Sequence, residues 1–560
     1  MRINRRDLLR TLPALAITAL PASQRLHASD ALPQNPAFTG RALARPTPRQ
    51  IAWQDLELGM FIHFAPNTWQ NREYDDLSTP LSAIDPQELN TDQWADTAIS
   101  LGARYVVFVA KHAGGFCMWQ TRTTDYGIAQ TPWKGGRGDV VAEIAASCRR
   151  RGLQFGIYCS PTDRHFGAGI GGKCATPALQ SRYNAIYREQ LTELFTRYGP
   201  LVEIWFDGST VTPVVDLLHR YQPNAMVFQG PAATIRWVGN EDGYAPYPCW
   251  NGIDASLARL GTATALDSDP NGSVWLPSEV DVSIRRPDWF WSPTNANLVL
   301  TPDQLLSIYY RSIGRGAQLL LNIPPNRHGL MDGKDRASAA ALGAQIRRRF
   351  STPLAATHGS GRTLTLNLAR PQRIDTVILQ EDIALGERVR AYVLEGRSGG
   401  QWTAIAQGTA IGHKRIQPVE PHVMDAVRLR VTQAAAPPVI RTLAAFNTGT
   451  PPPPDWNAAP ELWAPNLVGR WRGNRFSLDL GKAIAAAAQY TLRFIPATGT
   501  VQGLDRVSLT IGGLPSPQFL HVSTTSSDEI LLDITALNSS IVVAGQVLGA
   551  ESGEITLDRR

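Results

Sequence analysis

From about residue 50 to 350, short apolar runs alternate with stretches in which apolar residues recur every three or four positions. Residues 60–64, 105–110, 154–160, 202–206, 225–229 and 318–323 read as strands, each nearly continuous in apolar side chains and bounded by turn formers. Between them, residues 91–101, 139–151, 179–198 and 214–221 carry the helical period. Strands with no polar face belong to a parallel sheet covered by helices on both sides. The number of units favours an α/β fold, a closed (β/α)8-like barrel rather than an open doubly wound sheet. No Gly-x-Gly-x-x-Gly follows a strand, so dinucleotide binding is not expected.

After about Thr352 the period shortens to two. Alternating runs at 363–368, 373–380, 388–395 and 426–432, separated by turn residues, suit a β-sandwich. Thr450-Pro451-Pro452-Pro453-Pro454-Asp455 is a stiff polyproline-like linker, and runs such as 489–495 and 506–511 beyond it predict a further β-domain. At the other end, residues 1–28 read as an export signal. A basic start with the pair Arg5-Arg6, as in twin-arginine signals, precedes an apolar stretch from Leu12 to Leu20 that is too short to span a membrane. The expected organisation is an export signal over 1–28, a catalytic barrel over 29–352, a β-sandwich over 353–450, and a linker with a further β-domain over 451–560. The mature protein is expected in the periplasm or outside the cell. No later segment offers the ~20 uninterrupted apolar residues of a membrane span.

The formal charge of +6 changes this picture little. Arg2, Arg5, Arg6, Arg10 and Arg25 against Asp7 give the signal a net +4, which leaves +2 on the rest. No Lys/Arg block with interleaved aromatics remains, so no nucleic-acid partner is expected. Five cysteines without Cys-x-x-Cys spacing indicate neither a disulfide framework nor a zinc knuckle. The 15 tryptophans suit aromatic-lined pockets, since indole rings pack on the apolar faces of ligands such as sugars. Oligomeric state is not legible.

The candidate chemistry gathers at strand ends, where a barrel carries its catalytic side chains. The run Leu201-Val202-Glu203-Ile204-Trp205-Phe206-Asp207-Gly208 ends in a single carboxylate and a glycine. Alone, such an Asp-Gly pair is more often a turn or a helix cap. Three other strand ends change that weighting: His63 in Gly59-Met60-Phe61-Ile62-His63-Phe64, His112 after Val109-Ala110-Lys111, and Tyr158 in Gly156-Ile157-Tyr158-Cys159-Ser160-Pro161. A lone histidine there is commonly a hydrogen-bonded core residue. Together they describe one concave face with neutral donors around a carboxylate, as a polyhydroxylated ligand requires. A metal site from His63, His112 and Asp207 has no ligand spacing behind it, and no metal or other cofactor is expected.

Glycoside hydrolysis through a covalent intermediate needs a second carboxylate. Glu241 follows Ile235-Arg236-Trp237-Val238-Gly239-Asn240 in a Gly/Asn-rich loop, and Glu279 reads as lying on another loop, with Trp289 and Trp291 close behind. Either could instead be a solvated loop acid or a partner of Arg236 or Arg285. Residue chemistry leaves the choice open.

In order and spacing these segments resemble glycoside hydrolase family 29, the α-L-fucosidases. The resemblance rests on Gly59–Phe64, Ala110-Lys111-His112 running into Gly115-Phe116, Asp125-Tyr126, Gly138-Asp139-Val140-Val141 and Tyr158-Cys159-Ser160-Pro161. It continues in Trp205-Phe206-Asp207-Gly208 and in Arg315-Gly316 with Leu320-Leu321-Asn322-Ile323. Residues 378–415 are similar to the discoidin-like sandwich of the same family. The resemblance implies a retaining exo-glycosidase acting on terminal α-L-fucose of a fucosylated oligosaccharide or glycoconjugate, with Asp207 as nucleophile. It implies that His63, His112, Tyr158 and Trp205 line the sugar site, and it favours Glu241 over Glu279 as acid/base. Asn67-Thr68-Trp69 and Arg72-Glu73 resemble one branch of the family, which adds Trp69 and Glu73 to the substrate-binding candidates beside Trp237 and Glu279.

One departure stands out. The family commonly reads Lys-His-His-Asp-Gly-Phe where this chain has Lys111-His112-Ala113-Gly114-Gly115-Phe116. A histidine and the acid after it are missing, and Trp69, Asn67 or Glu73 is expected to fill the gap. The departure also admits an α-L-galactosidase-type preference, or a catalytically silent glycan-binding protein.

Overall fold

Eight parallel strands close round a common axis. The computed structural model describes residues 43–457 except Leu260, together with most of the strands between 466 and 559. The export signal expected at 1–28 lies outside the described residues. In chain order the strands of the first half are β1 (Leu58–Ile62), β2 (Tyr105–Lys111), β3 (Gln154–Cys159), β4 (Glu203–Trp205), β5 (Met226–Phe228), β6 (Arg236–Trp237), β7 (Gly252–Ile253), β8 (Val274–Trp275), β9 (Ser278–Ser283) and β10 (Gln318–Asn322). The barrel order is β5-β4-β3-β2-β1-β10-β9-β6, and a parallel bridge from Phe228 to Ile235 joins its two ends. β7 and β8 form a separate antiparallel ribbon.

Strand alternation divides the packing into two layers. Met60, Ile62, Val106, Phe108, Ile157, Ile204, Val280, Val282, Leu319 and Leu321 face the surrounding helices. Phe61, Tyr105, Val107, Val109, Tyr158, Trp205, Phe228 and Leu320 fill the barrel. Gly59 is part of this fit, because a Cβ there would fall 2.6–2.7 Å from ring carbons of Tyr105. The helices start and stop where local chemistry directs. Asn90 caps Thr91–Leu101 through the Gln93 amide, Gly102 ends it at φ +92°, and Thr176 with Pro177 opens Pro177–Arg197.

The six strands read from the sequence lie on six barrel strands. The reading of Glu279 on a loop is corrected: it lies in β9, every residue of which is buried. The segment Ser278-Glu279-Val280-Asp281-Val282-Ser283 alternates like a half-solvated strand. Glu279, Asp281 and Ser283, however, face the barrel interior, where Tyr105, Trp237 and Asn322 donate to them, while Ser278 on the other face accepts from Arg236. β6, of which only two residues pair, lies in the run Ile235–Val238 that precedes Glu241.

Beyond the barrel, six antiparallel strands between Ala355 and Phe446 wrap their own core of Val377, Leu379, Tyr392, Leu394, Val427 and Leu443. Ile378, Ile416, Ala444 and Phe446 from the same strands join the outer barrel core. Glu387 accepts from the backbone and side-chain amides of Asn251, and Tyr247 donates to the Ala410 carbonyl at 2.9 Å. The proline-rich segment lies along this body. Arg349 donates to the carbonyls of Thr450 and Pro451, Asp455 accepts from Ser307 and pairs with Arg311, and Arg315 reaches the Trp456 carbonyl. Nine further antiparallel strands between Asn466 and Arg559 enclose a core of their own around Trp471, Phe494 and Ile555.

Candidate active site

Four consecutive strands deliver side chains to one end of the barrel. His63 follows β1, His112 follows β2, Tyr158 is the last residue but one of β3 and Asp207 follows β4. The rings form one wall. His112 stacks on Tyr158 with centroids 5.7 Å apart, and His63 lies 5.8 Å from His112, 5.0 Å from Trp289 and 5.3 Å from Phe290. Deeper in, Trp205 lies flat on Phe228 at 3.5 Å, with Phe61 4.9 Å away. Tyr158 donates its hydroxyl to Asp207 Oδ2 at 2.8 Å.

Burial sets the protonation states. His63 is held well below the usual histidine range by burial and, next, by His112. Burial first and Arg164 second push His112 down to about 4. Both rings are therefore neutral near pH 7. Asn322 Oδ1 accepts from the His63 backbone N–H at 3.2 Å and lies 2.9 Å from Nδ1, which protonates Nδ1 and leaves Nε2 as an acceptor. His112 Nδ1 is buried with no hydrogen-bond partner in the protein, an acceptor or donor awaiting a ligand. Tyr158 is held well above the usual phenol range by burial and by Asp207, so it remains a donor. Asp207 itself opens to the cleft, yet the surrounding protein raises its pKa, against the lowering effect of the Tyr158 hydroxyl.

Three further carboxyls share this end. Glu241 is half-buried beyond β6, with Arg286 Nη1 3.4 Å from its Oε2, and Arg286 also pairs with Asp242. Glu73 accepts the Trp289 backbone N–H at 3.0 Å and is pushed up to about 8 by burial, with Glu241 and Asp288 adding to the rise. Asp281, in the barrel wall, accepts the Trp237 indole N–H at 2.6 Å. Burial first, then the nearby Glu241, and to a lesser degree Asp207, keep it well above the carboxylate range. Asp281, Asn322, Trp289, Phe290 and Arg286 carry roles that the sequence reading did not assign. Asn322 was visible only as part of a motif, and Trp289 only as an aromatic near Glu279.

Glu279 is placed elsewhere. Glu279 lies at the opposite, inner end of the barrel, accepting from Tyr105 at 3.1 Å beside Glu203. Glu203 in turn accepts the indole N–H groups of Trp53 at 2.9 Å and of Trp205. Glu203 and Asp207 are four residue steps apart along the extended chain, roughly 13 Å at the strand rise, whereas retaining carboxyl pairs stand about 5–5.5 Å apart. Glu279 therefore does not face the cleft. Trp205 contributes its ring to the wall while its N–H is spent on Glu203. Trp69 packs 5.4 Å from Phe64, against the outer core. Asn67 donates to the Glu73 carbonyl. At Gly114 the space of a side chain is taken by Asp75 rather than by Trp69, Asn67 or Glu73, and the amides of Arg164 and His165 donate to the carbonyls of Ala113 and Gly114. Among the described residues no cluster of three or more His, Cys, Asp or Glu is arranged to hold a metal ion, and no helix is long and apolar enough to cross a membrane.

Comparison with known proteins agrees with this geometry. The family profile described as Alpha-L-fucosidase matches residues 67–349. Alpha-L-fucosidase 1 of Arabidopsis thaliana is 32% identical over 423 residues, covering 67% of this chain and 81% of its own. A solved glycoside hydrolase 29 family member from an unknown rumen bacterium superposes with a TM-score of 0.65 at 26% identity, over 93% of this chain and all of its own. A Ruminococcus gnavus GH29 fucosidase, solved in complex with fucose, gives a TM-score of 0.64 at 25% identity, over 73% of this chain and 97% of its own.

Proposed function

The chain belongs to the α-L-fucosidase family, glycoside hydrolase family 29, and on that premise we propose an exported retaining exo-fucosidase in which Asp207 is the nucleophile and Glu241 the acid/base. The observation that carries the reading is the Tyr158–Asp207 hydrogen bond, which fixes one carboxylate oxygen and leaves the other free to attack. Asp207 Oδ1 forms a bond to the anomeric carbon as the glycosidic C–O bond breaks, and the Glu241 proton goes to the departing oxygen. In the second step Glu241 takes a proton from water, whose oxygen displaces Asp207 from the sugar. Neutral His63 and His112 supply hydrogen bonds to sugar hydroxyls without a competing charge. Trp205, backed by Phe61 and Phe228, gives the apolar sugar face a surface to pack on.

The test is Asp207→Gly. It abolishes release of an aryl leaving group from an aryl α-L-fucoside, and added azide restores turnover with a β-glycosyl azide as product. Wild-type activity in the variant overturns the assignment. Export rests on the signal-like residues 1–28 and is tested by fractionating cells that carry the Arg5→Lys, Arg6→Lys double substitution, which should retain the protein in the cytoplasm.

A further inference from the structure

Gly114 has an ordinary backbone conformation, so nothing in its φ angle calls for glycine. What excludes a side chain is Asp75: a Cβ on Gly114 would fall 2.7 Å from both Cβ and Cγ of Asp75 and closer still to Oδ2. Asp75 comes from the loop after β1, is almost fully buried, and is saturated with hydrogen bonds. Its Oδ1 accepts from Gln70 Nε2 at 2.7 Å and from the Leu77 amide at 2.8 Å, while Oδ2 accepts the Tyr126 hydroxyl at 2.7 Å. From the loop after β3, Arg164 Nη1 donates to the Asp75 carbonyl at 2.9 Å. The amides of Arg164 and His165 donate to the carbonyls of Ala113 and Gly114. On its other side the turn meets Asp163, since a Cβ on Gly115 would lie 2.8 Å from Asp163 Cγ.

We infer that the Asp75 carboxyl stands in the space of a side chain at position 114 and is a positioning residue for His112, locking the 112–115 turn between the loops after β1 and β3. The connection is short. The Gly115 amide closes the turn on the His112 carbonyl at 3.0 Å, the His112 ring stacks on Tyr158, and Tyr158 holds Asp207. An acid reaching this spot from position 114 itself could make the same bond to Tyr126. The motif of the resembled family has its acid at that position, so the two arrangements are alternative ways of filling one site. Asp75 and Gly114 then form a matched pair: an acid at both positions collides, and an acid at neither leaves the Tyr126 hydroxyl and the Gln70 amide unpaired.

The kinetic arm rests on the fucosidase reading; the stability arm does not. Asp75→Gly, Gly114→Asp and the double variant are made in the full chain and compared by thermal midpoint and by kcat and KM on an aryl α-L-fucoside. Each single variant is expected to lose thermal midpoint and about tenfold or more in kcat/KM, and the double to return to within about threefold of wild type. If a single variant does not fold, a folded and active double supports the inference equally. A double no better than the poorer single variant overturns it, as does an Asp75→Gly variant with wild-type midpoint and kinetics. Recovery of the midpoint without kcat/KM removes the positioning role and leaves a purely structural one. An inactive wild type defeats the fucosidase reading instead, and the midpoints still decide whether the exchange compensates.

Discussion

Asn322 Oδ1 meets both the backbone N–H and Nδ1 of His63, while its amide nitrogen donates to Ser283 and to the Trp289 carbonyl. One side chain from β10 thus fixes the tautomer of a candidate sugar-binding histidine and the position of the indole packed on it. Asn322→Ala frees both and leaves buried donors unmatched. The expected cost is about 1–3 kcal/mol, read as a roughly tenfold to hundredfold fall in kcat/KM on an aryl α-L-fucoside. An unchanged value would mean that His63 needs no such tether.

Tyr158→Phe removes the hydrogen bond that lowers the Asp207 pKa and leaves the surrounding protein that raises it. Asp207 must be ionised to attack, so activity falls as pH drops through its pKa. The acidic limb of the kcat/KM profile should move to higher pH in the variant. A limb that stays in place assigns it to another group.

Glu241→Ala should slow substrates with poor leaving groups by about 10²–10⁴-fold while sparing activated aryl glycosides, which hardly need protonation. Glu279→Gln, at the inner end of the barrel, should leave the ratio between the two substrate types unchanged. The reverse pattern would exchange their roles and contradict the separation inferred along β4.

Stability should fall with rising pH. Glu203 is pushed up to about 7 and Glu73 to about 8, both chiefly by burial. The folded chain keeps these protons above pH 4.5 while the unfolded chain releases them. Stability from this source is therefore full below that range, declines between about pH 4.5 and 8, and levels off above. Thermal midpoints at pH 5 and 8 measure the decline, and Glu73→Gln should shrink it; an equal decline in the variant removes Glu73 as a cause.

Truncation should be tolerated beyond the proline segment but not within it. Ending the chain after Thr450 strips Asp455 from Ser307 and Arg311 and Trp456 from Arg315, whereas ending it after Asn457 keeps those contacts. The longer truncated chain is expected to retain wild-type hydrolysis of a small aryl glycoside, the shorter one to lose thermal midpoint. Equal midpoints would make the seated segment dispensable.

Much of this molecule is written locally. Continuous apolar strands, helical periods, caps such as Asn90 and Thr176, and the strand-end positions of His63, His112, Tyr158 and Asp207 all depend on near neighbours in the chain, and all are legible from the sequence. What the sequence could not decide is which way a polar side chain points once the sheet closes. Glu279 and Asp281 alternate with valines as if facing water. Closure turns that face inward, and only residues distant in sequence, Tyr105 and Trp237, make it tolerable. The seat of Asp75 in the space beside Gly114 was hidden for the same reason, since the two arrive on different loops. The chain alone determined the barrel and the strand ends that carry its candidate chemistry. Tertiary packing decided which carboxyls share the cleft and which lie at its far end, because burial and partnership are properties of the closed barrel rather than of any segment of it.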